Sequence, residues 1–446
     1  MKVSNQAKSY ESTHKQNMMV ADLSMDKIAA VACALLIFVM GRFQLSDLFG
    51  VKRIVQFILI IPLLGYFAVS LTKISHRKYF SPLIGVVLLM LFVNLYYHMN
   101  ILWLFDYIFS LIGLYILLSV SRRNIIASVE WIVGIATFFA CIAMVQFAIL
   151  VVFPDLAIHT RLGLLEDGGW TSINPEEGAS IVRSLHPIAF LGLMTYDKLN
   201  ILGFEISRMR SFTSEPSLLV VYFLFPAVLG LFLDKLFWTK CSLLIIVFCI
   251  LSFSGSVQVC LVFAAVYFFA SFVFSNKFIF ISFPIIILGL TLGAMLILGL
   301  DMFTAFDASL AGSESTDFLA KGNSLVVRAN GLIEAVTEAL HSPFGSAYIR
   351  ELPLSIILSS MISAGWTGTI LLLVFFYRLI SRLDDRLKVM RNKNNLLLGA
   401  AIIFGIICTV FLFNDYAMLN YAGIIFLMFT YRLLEPIVPN DVKLTS

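Results

Sequence analysis

Apolar stretches of roughly 17 to 23 residues recur from one end of this chain to the other, each close to what a helix needs to cross the hydrocarbon layer of a bilayer. Hydrophobic residues make up 60% of the 446 positions and charged residues 13%, where a soluble domain carries about a quarter charged. No soluble fold hides that much apolar surface, so the fold class expected is all-α, a polytopic transmembrane bundle of about twelve spans. Those spans run from Ile28 to Leu45, Ile54 to Leu71, Phe80 to Tyr97, Ile101 to Val120, Ile125 to Phe153 and Ser217 to Leu233. They continue from Cys241 to Phe253, Val257 to Phe274, Phe278 to Leu300, Leu354 to Tyr377, Leu396 to Phe413 and Tyr421 to Leu434.

Basic residues in short loops set the orientation. Lys73, Arg77 and Lys78 follow the second span, Arg122 and Arg123 the fourth, and Lys235 and Lys240 the sixth. Lys277 and the run Arg378, Arg382, Arg386, Lys388, Arg391 and Lys393 fall on the same side. That side is cytoplasmic. Residues 1–25 lack the ordered segments of a signal peptide and are expected to stay as a cytoplasmic tail. Residues 26–436 then form one transmembrane domain, and 437–446 a second cytoplasmic tail. This phase depends on splitting the stretch from Lys240 to Lys277 into two helices around Ser252-Phe-Ser-Gly-Ser256. A single span there would invert everything downstream, and the basic run after Tyr377 argues for the split.

Two long segments reach the outer face, about 154–212 and 301–353, and they hold most of the non-cytoplasmic charge. The first ends in Arg208-Met-Arg-Ser-Phe-Thr-Ser-Glu-Pro-Ser217. Ser214 suits a helix N-cap, and Pro216 suits the first turn, where its missing N–H costs nothing. A helix starting there brings free N–H groups and the positive dipole end beside Arg208 and Arg210, a setting fit for phosphate or diphosphate. The alternative is that Arg210 pairs with Glu215 or snorkels to lipid headgroups.

The second segment carries Leu325, Ala329, Leu332, Ile333, Val336 and Leu340 at helical spacing until Pro343 stops the pattern. Arg328 shares a face with Leu332, so it points toward the apolar side and wants an anionic partner; Glu334, Glu351 or a lipid phosphate would serve as well as a substrate. Gly365-Trp-Thr-Gly368 lies within the tenth span and, with Gly345, suggests close helix packing rather than chemistry.

The outer-loop histidines and carboxylates, His159, His186, His341, Glu166, Asp167, Glu176, Glu177 and Glu351, form no HExxH, D-x-D or clustered ligand set, so neither metal nor cofactor is expected. All six cysteines, Cys33, Cys141, Cys241, Cys249, Cys260 and Cys408, sit in apolar segments, which disfavours disulfides and a thiolate site. The net charge of +4 is small and confined to loops, so no nucleic-acid partner is expected.

Taken in order, these stretches resemble the O-antigen polymerase and O-antigen ligase superfamily of membrane glycosyltransferases, over roughly Arg208 to Thr369. Arg210-Ser-Phe-Thr-Ser-Glu-Pro-Ser217 looks like that family's arginine and helix start, and Ser252-Phe-Ser-Gly-Ser256 resembles its serine-rich break. Arg328, Pro343, Gly345, Gly365 and Gly368 match its later arginine, Pro-x-Gly and paired glycines. One departure stands out: many members, ligases especially, place a histidine where this chain has Leu354, which favours the polymerase branch.

The resemblance implies a GT-C-like bundle in the bacterial inner membrane. It also implies transfer of glycan from an undecaprenyl-diphosphate-linked oligosaccharide to a sugar hydroxyl of another lipid-linked glycan at the periplasmic face. Arg210 and Arg328 would stabilise the departing diphosphate, Arg208, Ser214 and Ser217 would help bind it, and Glu215 would act as base or sugar-positioning group. A polysaccharide chain-length regulator is an implied partner beside membrane lipid. Ligation to lipid A core, or transport of a lipid-linked oligosaccharide, are the competing readings. For transport, Asn94, Gln146 and Gln258 are the mid-span polar candidates.

Overall fold

The computed structural model describes residues 25–39, 52–71, 81–97, 101–153, short pieces between 158 and 207, 218–233, 235–273, 337–345 without 339, 356–390, 395–410 and 421–434. The expected span Phe278 to Leu300 and the expected tails lie outside the described residues, apart from Met25.

Helices dominate. They are α1 (25–36), α2 (Lys52–Leu71), α3 (Pro82–Tyr97), α4 (Ile101–Ser119) and α5 (Arg122–Val152). After the first long segment come a π-helical turn (Val220–Leu224), α6 (Phe225–Leu231), α7 (Leu236–Leu251), α8 (Gly255–Val273), α9 (Ile356–Met390), α10 (Asn395–Val410) and α11 (Tyr421–Leu433). Two of the helical runs are long and apolar enough to cross a membrane, Arg122–Ile149 and Ser359–Ser381, and the other apolar helices are shorter. Eleven of the twelve expected spans therefore coincide with helix in their described parts.

Where an all-α chain was expected, the segment between α5 and the π turn adds short paired strands. They are β1 (Ile158–His159), β2 (Leu162–Leu164), β3 (Trp170–Ser172), β4 (Met194–Thr195), β5 (Lys198–Ile201) and β6 (Phe204–Ser207). β1 pairs with β4 in parallel, β2 with β3 antiparallel, and β5 with β6 as a hairpin in which Ile201 faces Phe204. None exceeds four residues.

The contacts divide the chain into two compact units, Met1–Tyr79 with Ile112–Ser254, and Phe80–Leu111 with Gly255–Ser446. In the first, α5 starts where Ser121, in extended conformation, accepts the Asn124 N–H on its side chain, and it ends with Phe153 N–H on Ile149 O at 2.8 Å. Its 31 residues pack against α6 and α7. Glycine makes that packing possible: a Cβ on Gly230 would overlap Ser242 Oγ and stand 2.9 Å from Val133. At one edge Glu130 accepts both Lys235 Nζ at 2.7 Å and the Trp238 indole N–H at 3.3 Å, with the indole over Gly134. Aromatic rings fill the interior, with Phe38 against Phe139 and Tyr222, and Phe223 edge-on to Phe248 at 5.0 Å.

Pro226 explains the π turn. It has no N–H to give to Tyr222 O, so the helix widens just ahead of it and Phe225 N–H bonds Val220 O, five residues back. Every residue of that turn is buried.

In the second unit, α11 is buried on all sides except at Arg432, as suits a central helix. α10 lies between it and α8, with Gly405 pressed on the Tyr267 ring; an added Cβ would come within 2.7 Å. Phe375 of α9 stacks on Tyr431 at 5.4 Å, and α9 also packs along α3.

The split expected around Ser252 to Ser256 falls at 252–254. There Phe253 takes φ +50, Ser252 Oγ donates to Cys249 O at 2.7 Å, and Ser252 and Ser254 are buried.

Candidate functional site

The residues expected to carry chemistry, Arg208, Arg210, Ser214, Glu215, Ser217 and Arg328, lie outside the described residues. The described chain brackets the first group closely. β6 ends at Ser207, immediately before Arg208, and the buried helical segment is under way by Leu218, immediately after Ser217.

The second motif region is described at its downstream end. The helical pattern read from Asn323 is helical at 337, 338, 340 and 341, where His341 Nδ1 bonds Thr337 O at 2.7 Å, and it stops at Pro343 as the spacing requires. A tight turn follows at 342–345, closed by Gly345 N–H on Ser342 O at 3.0 Å. Gly345 has φ +94, in the region where a side chain is disfavoured.

This turn is seated on α9. Gly365 has φ +66, which breaks α9 into pieces 356–364 and 366–390. The expected span from Leu354 to Tyr377 thus holds an apolar helical run, Ser359–Ser381, with a kink at Gly365 that the sequence reading did not include. Trp366 N–H, freed by the break, donates to Pro343 O at 2.9 Å. A Cβ on Gly365 would meet Pro343 O and the Phe344 carbonyl carbon at 2.5 Å, and one on Gly345 would meet Gly365 N and Ile362 O at 3.0 Å.

Gly368 has a different job from Gly365. Its added Cβ would overlap Ala364 Cβ across the bend. Hydroxyls line the inside of the corner: Thr369 Oγ1 donates to Gly365 O at 3.1 Å and stands 3.0 Å from Ser360 Oγ, both side chains being buried. Sequence reasoning placed the three glycines in close packing but missed Ser360 and Thr369, whose only signal was a cluster of small hydroxyl residues flanking Gly365.

The described part of the region is therefore a turn packed into a helix corner. Among the described residues no group of three histidine, cysteine or carboxylate side chains could hold a metal ion. His341 is exposed, and the nearby carboxylate, Glu338, stands 3.4 Å from Ser342 Oγ. The polar candidates for transport, Asn94 and Gln146, are buried in helix interiors.

Comparisons with protein-family models, with curated proteins and with solved structures find no match to this chain.

Proposed function

We propose that the chain is a multi-pass membrane glycosyltransferase of the inner membrane, a surface-polysaccharide repeat-unit polymerase with about twelve spans and both termini cytoplasmic. Its donor is an undecaprenyl-diphosphate-linked oligosaccharide and its acceptor a sugar hydroxyl of a second lipid-linked glycan on the outer face. With its long polar segments facing outward, away from cytoplasmic nucleotide sugars, the protein suits a lipid-carried donor.

The observation that carries this reading is the 342–345 turn seated in the Gly365 corner. Pro-x-Gly and the paired glycines are separate elements of the family's ordered pattern, and here they are spatial neighbours joined by a backbone hydrogen bond. That seat fixes the downstream end of the segment bearing Arg328.

Cleavage of the glycosyl–phosphate bond builds negative charge on the leaving diphosphate. Guanidinium groups held in advance where that charge grows lower the barrier most, and Arg210 and Arg328 take this part with Arg208 assisting. Ser214 and Ser217 help bind the phosphates at a helix start. Glu215 orients the sugar or accepts the acceptor proton. Alignment of the acceptor hydroxyl behind the anomeric carbon supplies the remaining rate.

A surface-polysaccharide gel tests the proposal. Arg210→Ala or Arg328→Ala should leave lipid A cores capped with single repeats. Complete loss of capped core would point to a ligase, and an unchanged long ladder would remove these arginines from the mechanism. Purified protein in liposomes separates catalysis from transport: lengthening of lipid-linked oligosaccharide without ATP or an ion gradient is the enzyme's result, and movement without new bonds is the transporter's.

A further inference from the structure

We propose that the 342–345 turn is re-entrant. It lies beneath the outer edge of the hydrocarbon layer, with His341 and Ser342 open to water and Phe344, beside Trp366, set against lipid acyl chains. The inference rests on the bundle lying in a bilayer with its basic loops inside, as proposed above, and makes no use of the reaction.

Two rulers give the depth. Gly345 sits against Val93 of α3, where an added Cβ would be 3.1 Å from Val93 Cγ2. Val93 is one turn, about 6 Å, short of the Tyr97 end of α3. α3 has 16 residues, so it is about 24 Å long and does not outreach a hydrocarbon layer of about 30 Å. Its end carries the exposed, edge-on pair Tyr96 and Tyr97, the residue type that favours the membrane boundary.

The second ruler runs from the opposite end. An added Cβ on Gly368 would lie 3.7 Å from Leu89, one turn deeper than Val93, so the piece 366–390 runs antiparallel to α3. Arg378, the first of its basic series, comes about 18 Å after Trp366, which leaves about 12 Å of hydrocarbon beyond Trp366. Both measures put the turn below the outer boundary, by roughly one to two helical turns.

Irregular backbone at that depth persists only where protein or water satisfies it. Protein satisfies part, through Trp366 N–H on Pro343 O and Gly345 N–H on Ser342 O. The side chains set opposite demands. His341 is exposed and Ser342 and Glu338 are half-buried, so that side needs water. Phe344 is 82% exposed and its backbone carbonyl carbon lies against Gly365, next to the start of an exposed apolar stripe formed by Trp366, Ile370, Leu373 and Tyr377 at spacings of three or four residues on one helix. A stripe of that kind ending at a basic run is a lipid-facing surface.

Cysteine accessibility in intact cells, with the unmodified full-length chain as blank, tests this. His341→Cys and Ser342→Cys should react with a charged, membrane-impermeant thiosulfonate. Phe344→Cys should react with it at least about tenfold more slowly, while labelling readily with a lipid-soluble maleimide. Equal fast reaction at all three positions would place the turn above the membrane and overturn the proposal; so would no reaction at His341→Cys and Ser342→Cys in a strain where Phe344→Cys is labelled. Because labelling needs no substrate, the pattern can hold even if the polysaccharide ladder experiment fails, and the two ideas fall separately.

Discussion

The hydroxyls of Ser360 and Thr369 stand 3.0 Å apart although nine residues separate them within one helical run. In a straight helix that separation spans about 13.5 Å along the axis, so α9 turns a sharp corner at Gly365 and the two hydroxyls meet on its inside. Thr369→Val keeps the shape and removes the hydroxyl, so Gly365 O loses a buried hydrogen bond and Ser360, which still donates to Ile357 O, loses its contact across the corner. Thermal unfolding of detergent-solubilised protein should show a loss of about 1–2 kcal/mol. A variant as stable as the parent would mean the hydroxyl contact does not hold the corner.

Gly365→Ala should be more damaging than Gly345→Ala. The positive-φ backbone alone costs an alanine on the order of 1–3 kcal/mol, and at Gly365 the added methyl also presses on Pro343 O and the Phe344 carbonyl, which cannot yield without unseating the turn. Melting temperatures of the two variants check the order.

At Gly368 the obstacle is a single side chain, so it can be relieved. Gly368→Ala should destabilise through its overlap with Ala364, and Gly368→Ala with Ala364→Gly should recover much of the loss. A double variant no better than the single one would show that the crowding comes from elsewhere.

The Glu130, Lys235 and Trp238 cluster yields a graded expectation. Lys235 is 65% exposed on its side chain, so Lys235→Ala should cost less than about 1 kcal/mol, and less still in high salt. Glu130→Ala should cost more, because it also strips the acceptor from the Trp238 indole N–H. A double-mutant cycle in low and high salt measures both parts.

At the proposed clamp, Arg210→Lys should fail to restore long chains. An ammonium keeps the charge but not the two-pronged geometry that matches phosphate oxygens. Full-length ladders from Arg210→Lys, with Arg210→Ala defective, would show that charge alone suffices.

Most helices were legible in the sequence because an apolar run of membrane length has few other structures open to it. The break at 252–254 was legible for a similar reason: serines and a glycine interrupt an apolar stretch, and the basic residues downstream require a change of phase. The corner at Gly365 was not. A glycine in an apolar helix ordinarily signals close packing, and the positive φ here depends on a turn about twenty residues earlier that occupies the space a side chain would need. The strands between 158 and 207 were missed because two to four residues carry no readable alternation. Arg208, Arg210 and Arg328 lie outside the described residues, and the expectation for them rests on the sequence around them.

The π turn ahead of Pro226 changes how its neighbourhood must be projected. One additional residue within a helical circuit turns the preceding segment by about 100°, so a helical wheel drawn backward from α6 through Leu218 assigns every earlier position to the wrong side. Excising one residue between Val220 and Leu224 would swing Leu218 and Leu219 through that angle while leaving their identity intact, and side-chain identity alone would give no warning of the change.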